Sequence, residues 1–319
     1  YADIKRYAAD EEDLRLAYRK LVLNDLYFLL VFVCGRTDLR KDWLFDRCNE
    51  VQKRPNFYLD LWAREHYKST IITFGLTVQD ILYDPEITIG LFSVTRPHSK
   101  KFLYQIRKEL GENETLKRLF PDVLWQNPFR ESPSWSLDNG LEVKREGNPK
   151  EKTIEAHGLT DSMPTGSHFK LRLYDDVITE KHVTNPDMIR KSTEAWELSL
   201  SLGSAQPTKR YAPEVDLERY IGTRYHFNDP YKAIMDRQVA TKRIYPGTDN
   251  AKVEGNPLLW TPDFLAKKRR NMGPYIFSCQ ILQNPKADDT QGFDVEWLRY
   301  WQADNLTGLN LYLLCDPAS

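Results

Sequence analysis

The sequence contains few cysteines, and they do not have the spacing of a metal site. Its 319 residues include Cys34, Cys48, Cys279 and Cys315, which lie far apart. Structural zinc sites need closely spaced ligand pairs, and disulfide-stabilised secreted domains are short and rich in cysteine. We therefore expect free, buried thiols in a reducing compartment. The six histidines show no metal spacing either.

Long apolar segments are also missing. The longest run, Leu26 to Cys34, is about half of the roughly 18 residues that cross a bilayer. It is neither N-terminal nor followed by a small-residue cleavage site. The sequence therefore predicts no membrane partner and no export.

The charge is nearly balanced, with a formal net value of -1. Such a chain has no overall attraction to nucleic acid, so a nucleic-acid partner would be held by local patches. The basic runs Lys267 to Arg270 and Arg96 to Lys101 are candidates, although charged runs on helices are more often solvated faces. With 319 residues, we expect one large domain with appendages, or two domains.

The hydrophobic pattern changes near residue 57. Residues 1–50 have helical spacing of apolar side chains after an acidic start at Asp10 to Asp13, which predicts a helical N-terminal appendage. From Phe57 onward, strands alternate with helices, which is typical of an α/β domain with a mainly parallel central sheet. The turn Asp138-Asn139-Gly140 predicts an antiparallel hairpin insertion within Ser134 to Val143.

The predicted elements divide the chain into four parts: an appendage (1–50), a main domain (51–285), a linker (286–305) and the first strand of another domain (306–319). Because the apolar strand Leu309 to Cys315 has no later sequence to pair with, we expect the chain to be the front part of a longer polypeptide. The predicted strands are Phe57–Leu61, Ile87–Val94, Thr153–Ala156, Leu171–Tyr174, Tyr220–Thr223 and Val239–Tyr245. The predicted helices are Ser69–Leu82, one starting at Pro97, Asp187–Leu202, and Pro257–Ile281 with a break at Gly273-Pro274.

The segment Trp62 to Thr70, WAREHYKST, ends like a phosphate-binding loop. In such loops, backbone amides and a helix N-terminus hold the phosphates, a lysine reaches the β and γ groups, and the next hydroxyl binds magnesium. Lys68 and Ser69 fit these roles, but Trp62 and Tyr67 occupy the two glycine positions. An ordinary turn that happens to contain a lysine is the alternative.

An acidic pair follows the apolar strand Leu171 to Tyr174. Asp175 and Asp176 at the end of a buried strand are unfavourable unless their charge is compensated, and a magnesium nucleotide would compensate it. We predict that Asp175 holds the metal and Asp176 orients or deprotonates the attacking water. Capping of the next helix is the alternative.

A third strand end, Ile221 to His226, carries Thr223 and Arg224. It would place a hydroxyl and a cation near the γ-phosphate, where hydrolysis could be sensed. By contrast, Trp62 is expected to fill the core rather than stack on adenine, and His66 to pack the loop rather than catalyse.

Together these motifs resemble the large terminase subunit of tailed bacteriophages, from about residue 50 to the end. Ala63 to Thr70 resembles that family's glycine-poor phosphate loop, with Arg64 as its arginine, and Gly222 to Tyr225 resembles its coupling motif. The segment from Gly273 to Pro285 resembles the approach to its nuclease domain, and Leu313 to Ala318 the first metal-binding strand of that domain. The sequence departs from the family pattern at two places. Family members often have glycine where Glu65 or Tyr67 stands, and many motor ATPases have glutamate where Asp176 stands.

The resemblance implies a P-loop NTPase of the additional-strand type that uses ATP and Mg2+. Its expected role is to move double-stranded DNA into a procapsid, as a homo-oligomeric ring at the portal in the host cytoplasm. The expected partners are DNA, the portal protein and the small terminase subunit, and nuclease activity is expected only of a longer polypeptide. The residues implied to bind the nucleotide are Arg64, Glu65, His66, Tyr67, Lys68, Ser69 and Thr70. The implied metal ligands are Ser69, Asp175 and Asp316. The implied catalytic residues are Asp176, Arg64 and Thr223.

Two other functions remain open at this point. A helicase-like ATPase would use the same phosphate and magnesium residues to separate strands. A DNA-binding scaffold with a degenerate nucleotide site would explain the missing glycines of the loop.

Overall fold

The computed structural model describes residues 10–183 and 185–285. These residues belong to one compact unit, residues 1–286, whose architecture is α/β. The α-helices are α1 (Glu11–Asn24), α2 (Leu26–Phe28), α3 (Asp42–Lys53), α4 (Thr77–Tyr83), α5 (Arg96–Glu112), α6 (Glu114–Leu119), α7 (Pro128–Glu131), α8 (Pro186–Ser199), α9 (Pro230–Asp236), α10 (Pro262–Met272) and α11 (Pro274–Gln280). Two π-helical segments (Leu29–Val33, Ser69–Leu76) and three 3-10 turns (Thr37–Leu39, Glu180–Val183, Leu200–Leu202) complete the helical structure of this part of the chain.

Eight strands of the described part form one mixed, mostly parallel sheet in the order β3-β4-β5-β2-β6-β7-β1-β8. Neighbours from β5 through β8 pair in parallel, whereas β3 and β4 form an antiparallel hairpin at one edge. This confirms the predicted hairpin insertion. The strands are β1 (Tyr58–Trp62), β2 (Ile89–Ser93), β3 (Trp135–Ser136), β4 (Gly140–Leu141), β5 (Ile154–Gly158), β6 (Leu171–Asp175), β7 (Leu217–Gly222) and β8 (Thr241–Tyr245).

The central strands are buried on both faces, and β2 is accordingly apolar apart from its last residue, Ser93, whereas β6 and β7 also contain charged residues. Every residue of β2, β6 and β7 is buried. Successive side chains point to opposite faces, so Leu173 joins the core cluster on one side of the sheet and Tyr174 the cluster on the other. At the edge, β8 exposes Thr241, Lys242 and Ile244.

The N-terminal helices share the first of these core clusters with the sheet. Asp10 caps α1 by accepting a hydrogen bond from the Asp13 amide at 2.8 Å, as the acidic start predicted. The π-helical segment after the loop contains Gly75, where an added Cβ would lie 2.7 Å from the Leu30 side chain. Glycine therefore permits this helix to approach the appendage closely.

The predicted strands that fall within the described residues are confirmed, with ends displaced by at most three residues. The last predicted helix is corrected: it begins at Pro262 rather than Pro257, because the Thr261 hydroxyl caps it by accepting from the Phe264 amide. Cys34, Cys48 and Cys279 are free thiols, as expected. The predicted linker, the strand Leu309–Cys315 and Cys315 itself lie outside the described residues.

Within residues 10–183 and 185–285, none of the helices combines the length and the apolar character that a bilayer crossing requires.

Candidate functional site

The three strand ends singled out in the sequence meet at one edge of the sheet. Because β1, β6 and β7 are parallel, their carboxyl ends face the same way. In the register, Asp175 lies beside Ile221 of β7, and Gly222 lies beside Leu61 of β1. Strand β7 is thus inserted between the strand that leads into the lysine loop and the strand that ends in the acidic pair.

The loop after β1 adopts a backbone that usually requires glycine. Glu65 and Tyr67 both have φ of 64°, and Lys68 returns to the right-handed region with φ of -51°. A left-handed residue without glycine costs about 1–2 kcal/mol. Alternation between the two hands turns successive amides toward a common concavity, which is how backbone nests bind anions. Among the described residues, none accepts a hydrogen bond from the amide of Glu65 or Tyr67.

The side chains of the two strained residues bond to partners outside the loop. The Glu65 carboxylate pairs with Lys268 of α10 at 2.5 Å. The Tyr67 hydroxyl bonds to Asp38, which lies in the appendage. The surrounding structure therefore holds the loop in its strained form.

His66 packs inside the loop, as expected. Its ring contacts Trp43 and Trp260, with centroids 5.9 and 4.9 Å away, and its Nδ1 lies 3.0 Å from the Arg64 carbonyl. Burial lowers the pKa of His66 to about 4, so the ring is neutral at physiological pH. This arrangement makes His66 a support for the loop.

Lys68 and the acidic pair come together. The Lys68 ammonium is nearly buried and lies 3.6 Å from the Asp176 carboxylate. A buried cation of this kind needs an anionic partner. Asp176 has φ of 47° and is 37% exposed, so its carboxylate is both near the lysine and accessible to water.

Asp175 is fully buried behind this pair. The Thr73 and Ser69 hydroxyls bond to its carboxylate, but its Oδ1 has no partner among the described residues. Burial, reinforced by the negative charge of Asp176, raises the pKa of Asp175 to about 7, although Lys68 acts in the opposite direction. An unpaired buried carboxylate oxygen is a costly feature that a bound cation would satisfy.

Two further buried hydroxyls face this edge of the sheet without a partner in the described chain, namely those of Thr223 and Ser93. Thr223 follows β7, as predicted. Ser93 was not predicted: it ends β2, next to the pair formed by Phe92 and Tyr174, and so lies beside Asp175. The sequence feature that could have identified Ser93 as a site residue is its position as a small polar residue at the end of an apolar strand.

The two arginines predicted to act at this site differ in exposure: Arg64 is exposed and Arg224 is buried. Arg64 is exposed, with its Nη1 3.3 Å from both the Tyr225 hydroxyl and the Gln280 Oε1. Arg224 was expected to place a cation near the γ-phosphate, and that prediction is wrong. Its guanidinium is buried in an ion pair with Asp229 at 2.9 Å, which fixes the turn after β7.

The oxygen atoms available at this edge match magnesium better than a softer metal. Mg2+ is usually held by one or two carboxylates and by substrate phosphates, with several waters retained. Asp175 and the Ser69 hydroxyl can supply such ligands. Across residues 10–183 and 185–285, no three His, Cys, Asp or Glu side chains are grouped to hold a metal by themselves.

The remaining predicted residues have simpler positions. Thr70 lies half-buried on the helix after Ser69. Trp62 is confirmed as a core residue, and its indole donates to Asp60 at 2.8 Å. In the basic run of α10, Lys267, Arg269 and Arg270 are exposed. Asp316 lies outside the described residues.

The comparison with protein-family profiles gave no match, and the search of curated proteins gave none either.

Proposed function

We propose that this protein is a magnesium-dependent ATPase, a P-loop NTPase of the additional-strand type. The observation that carries the proposal is the convergence of Lys68, Ser69 and the acidic pair at one sheet edge. A strand inserted between the loop strand and the acidic strand, as β7 is here, supports the additional-strand assignment.

Each residue has a role that follows from its position. The loop amides and Lys68 would bind the β- and γ-phosphates, and Asp175 with the Ser69 hydroxyl would hold Mg2+. When bound, the metal neutralises charge on the phosphate oxygens. The more exposed Asp176 is suited to accept a proton from the attacking water.

The ion pair between Lys68 and Asp176 suggests how substrate prepares the site. Phosphate oxygens compete with Asp176 for the ammonium, because they carry more negative charge and bind it with charge-assisted hydrogen bonds. Once Lys68 contacts phosphate, Asp176 is released as a base. The Thr223 hydroxyl, which has no partner among the described residues, and the exposed Arg64 would contact the terminal phosphate.

The biological role we propose is that of the large terminase subunit. In this role, ATP hydrolysis moves double-stranded DNA into a procapsid, and a ring of these subunits works at the portal in the host cytoplasm with the small terminase subunit. The support is the order and spacing of the motifs. Contacts also connect the coupling motif to α11 and the segment after it, since the Tyr275 hydroxyl donates to the Tyr225 carbonyl at 3.3 Å and the Arg224 amide to Gln283 at 3.3 Å.

The ATPase proposal is tested by measuring phosphate release from ATP. We expect Lys68→Ala and Asp175→Ala each to lower turnover by at least about a hundredfold, since each removes charge stabilisation of the transferred phosphoryl group. Lys101→Ala and Asp46→Ala are matched controls on exposed helix surfaces and should retain parental turnover. Equal, negligible rates in the parent and both site variants would instead favour a scaffold with a degenerate site.

The helicase alternative is separated by a second readout. A forked duplex with a fluorescent strand reports strand separation, whereas a triplex-forming strand displaced from intact duplex reports translocation. The terminase role predicts ATP-dependent displacement of the triplex strand without separation of the fork.

A further inference from the structure

We propose that the base of the nucleotide binds the aromatic pair Trp260 and Phe264 at the start of α10, stacking on one ring and meeting the other edge to face. This inference rests on the proposed ATPase site and adds to it the part that recognises the nucleoside. The ligand class is a nucleoside triphosphate, whose base the pair would bind through one ring face and one ring edge, because the two rings lie 75° apart.

The first step is the direction in which the nucleotide must extend. In the proposed site, Asp175 and Asp176 at the end of β6 determine where the metal and the γ-phosphate lie. In the sheet, β6 and β7 lie on one side of β1, and β8 lies on the other. A triphosphate held by the loop after β1, with its γ end toward β6, directs its ribose and base toward β8.

The second step is what lies beside the loop in that direction. The loop follows β1, its Ala63 amide donates to the Tyr245 carbonyl of β8 at 2.8 Å, and its His66 ring touches Trp260. Trp260 in turn contacts Phe264 edge to face, with centroids 5.3 Å apart. The aromatic pair is thus connected to the phosphate-binding loop by direct ring contact.

The pair is also fixed to the loop by charge. The Lys268 ammonium lies 5.7 Å from the centre of the Trp260 ring and 5.4 Å from that of Phe264, while it pairs with Glu65 of the loop. Lys268 therefore holds the first turns of α10 against the loop. A phosphate site and an aromatic surface in a fixed relation are what recognition of a whole nucleotide requires.

Packing accounts for only part of the aromatic surface. Trp260 precedes the helix cap Thr261 and packs on the small cluster around Leu265 and Phe277. Phe264 remains 38% exposed, and Trp260 is only partly buried. Partly exposed aromatic rings beside a phosphate site offer stacking worth about 1–3 kcal/mol per base, with little dependence on which base is bound.

The test compares two probes that differ only in the nucleoside. Binding of Mg-ATP and of magnesium tripolyphosphate is measured by calorimetry for the parent, Trp260→Ala and Phe264→Ala. We expect each variant to bind Mg-ATP about 5- to 100-fold more weakly and to bind tripolyphosphate within about twofold of the parent. Phe129→Ala, an exposed aromatic on α7, is the matched control and should change neither affinity.

The outcomes separate the inference from the ATPase proposal beneath it. Parental Mg-ATP affinity in both variants would overturn base stacking here while leaving the phosphate site intact. An equal loss for ATP and tripolyphosphate would assign the pair to loop support through His66, and would also overturn the inference. Failure of the parent to bind either probe would overturn both proposals. Phe264→Ala keeps the test decisive if loss of Trp260 impairs folding, because Phe264 is largely outside the core.

Discussion

Replacing Asp175 by asparagine should inactivate the protein and, at alkaline pH, make it more stable. Asp175 is buried, one of its oxygens has no partner within residues 10–183 and 185–285, and its pKa is raised to about 7, first by burial and then by Asp176. The folded protein therefore holds a proton on this carboxyl more tightly than the unfolded chain. The resulting stabilisation is complete below the unfolded pKa of about 3.8, and is lost as the pH rises through the folded pKa of about 7.

The size of the effect follows from the two pKa values. Each unit of difference corresponds to about 1.4 kcal/mol, so the rise from 3.8 to about 7 corresponds to about 4 kcal/mol at full ionisation. Between about pH 5 and pH 8, the wild-type protein should lose about 3 kcal/mol of this stabilisation. Asparagine has no such titration. Its amide can leave an unsatisfied donor, but that cost of about 1–3 kcal/mol does not depend on pH.

The assay is urea unfolding of the parent and Asp175→Asn at several pH values, with chelator present and nucleotide absent. The free energy of unfolding of Asp175→Asn, relative to that of the parent, should rise by about 3 kcal/mol between pH 5 and pH 8. Asp46→Asn, on the exposed face of α3, should show no such trend relative to the parent. A difference between Asp175→Asn and the parent that stays constant over this range would refute the reasoning.

Two further predictions concern the loop and the second strand. Glu65→Gly should keep the free energy of unfolding within about 1 kcal/mol of the parent, whereas Glu65→Val should lower it by more than about 1 kcal/mol in urea titrations, because valine tolerates positive φ poorly. Ser93→Ala should lower kcat for ATP more than it raises KM, since its hydroxyl lies beside Asp175; unchanged kcat would remove Ser93 from the site.

The sequence was sufficient for the elements and for the approach of Lys68 to the acidic pair. Buried parallel strands are mostly apolar, as β2 is and as β6 is apart from Arg172 and Asp175, so their existence can be read directly. Their carboxyl ends share one sheet edge, so residues that follow them are brought together. The insertion of β7 between β1 and β6 was reached only through the family resemblance, because strand order depends on packing between distant parts of the chain.

The details of the site could not be predicted because they depend on tertiary contacts. Nothing local favours a left-handed Glu65 or Tyr67; their contacts with Lys268 and Asp38 hold them there. The expected role of Arg224 failed because Asp229, five residues later, pairs with its guanidinium.

The central claim, that a triphosphate binds between Lys68 and Asp175, is tested most directly by calorimetric titration of Mg-ATP into the parent, Lys68→Ala and Lys101→Ala. We predict saturable binding with equal affinity for the parent and Lys101→Ala. Loss of the charge-assisted contact should weaken binding to Lys68→Ala by at least about tenfold. Equal affinity of Lys68→Ala and the parent, or absence of binding by the parent, would contradict the claim.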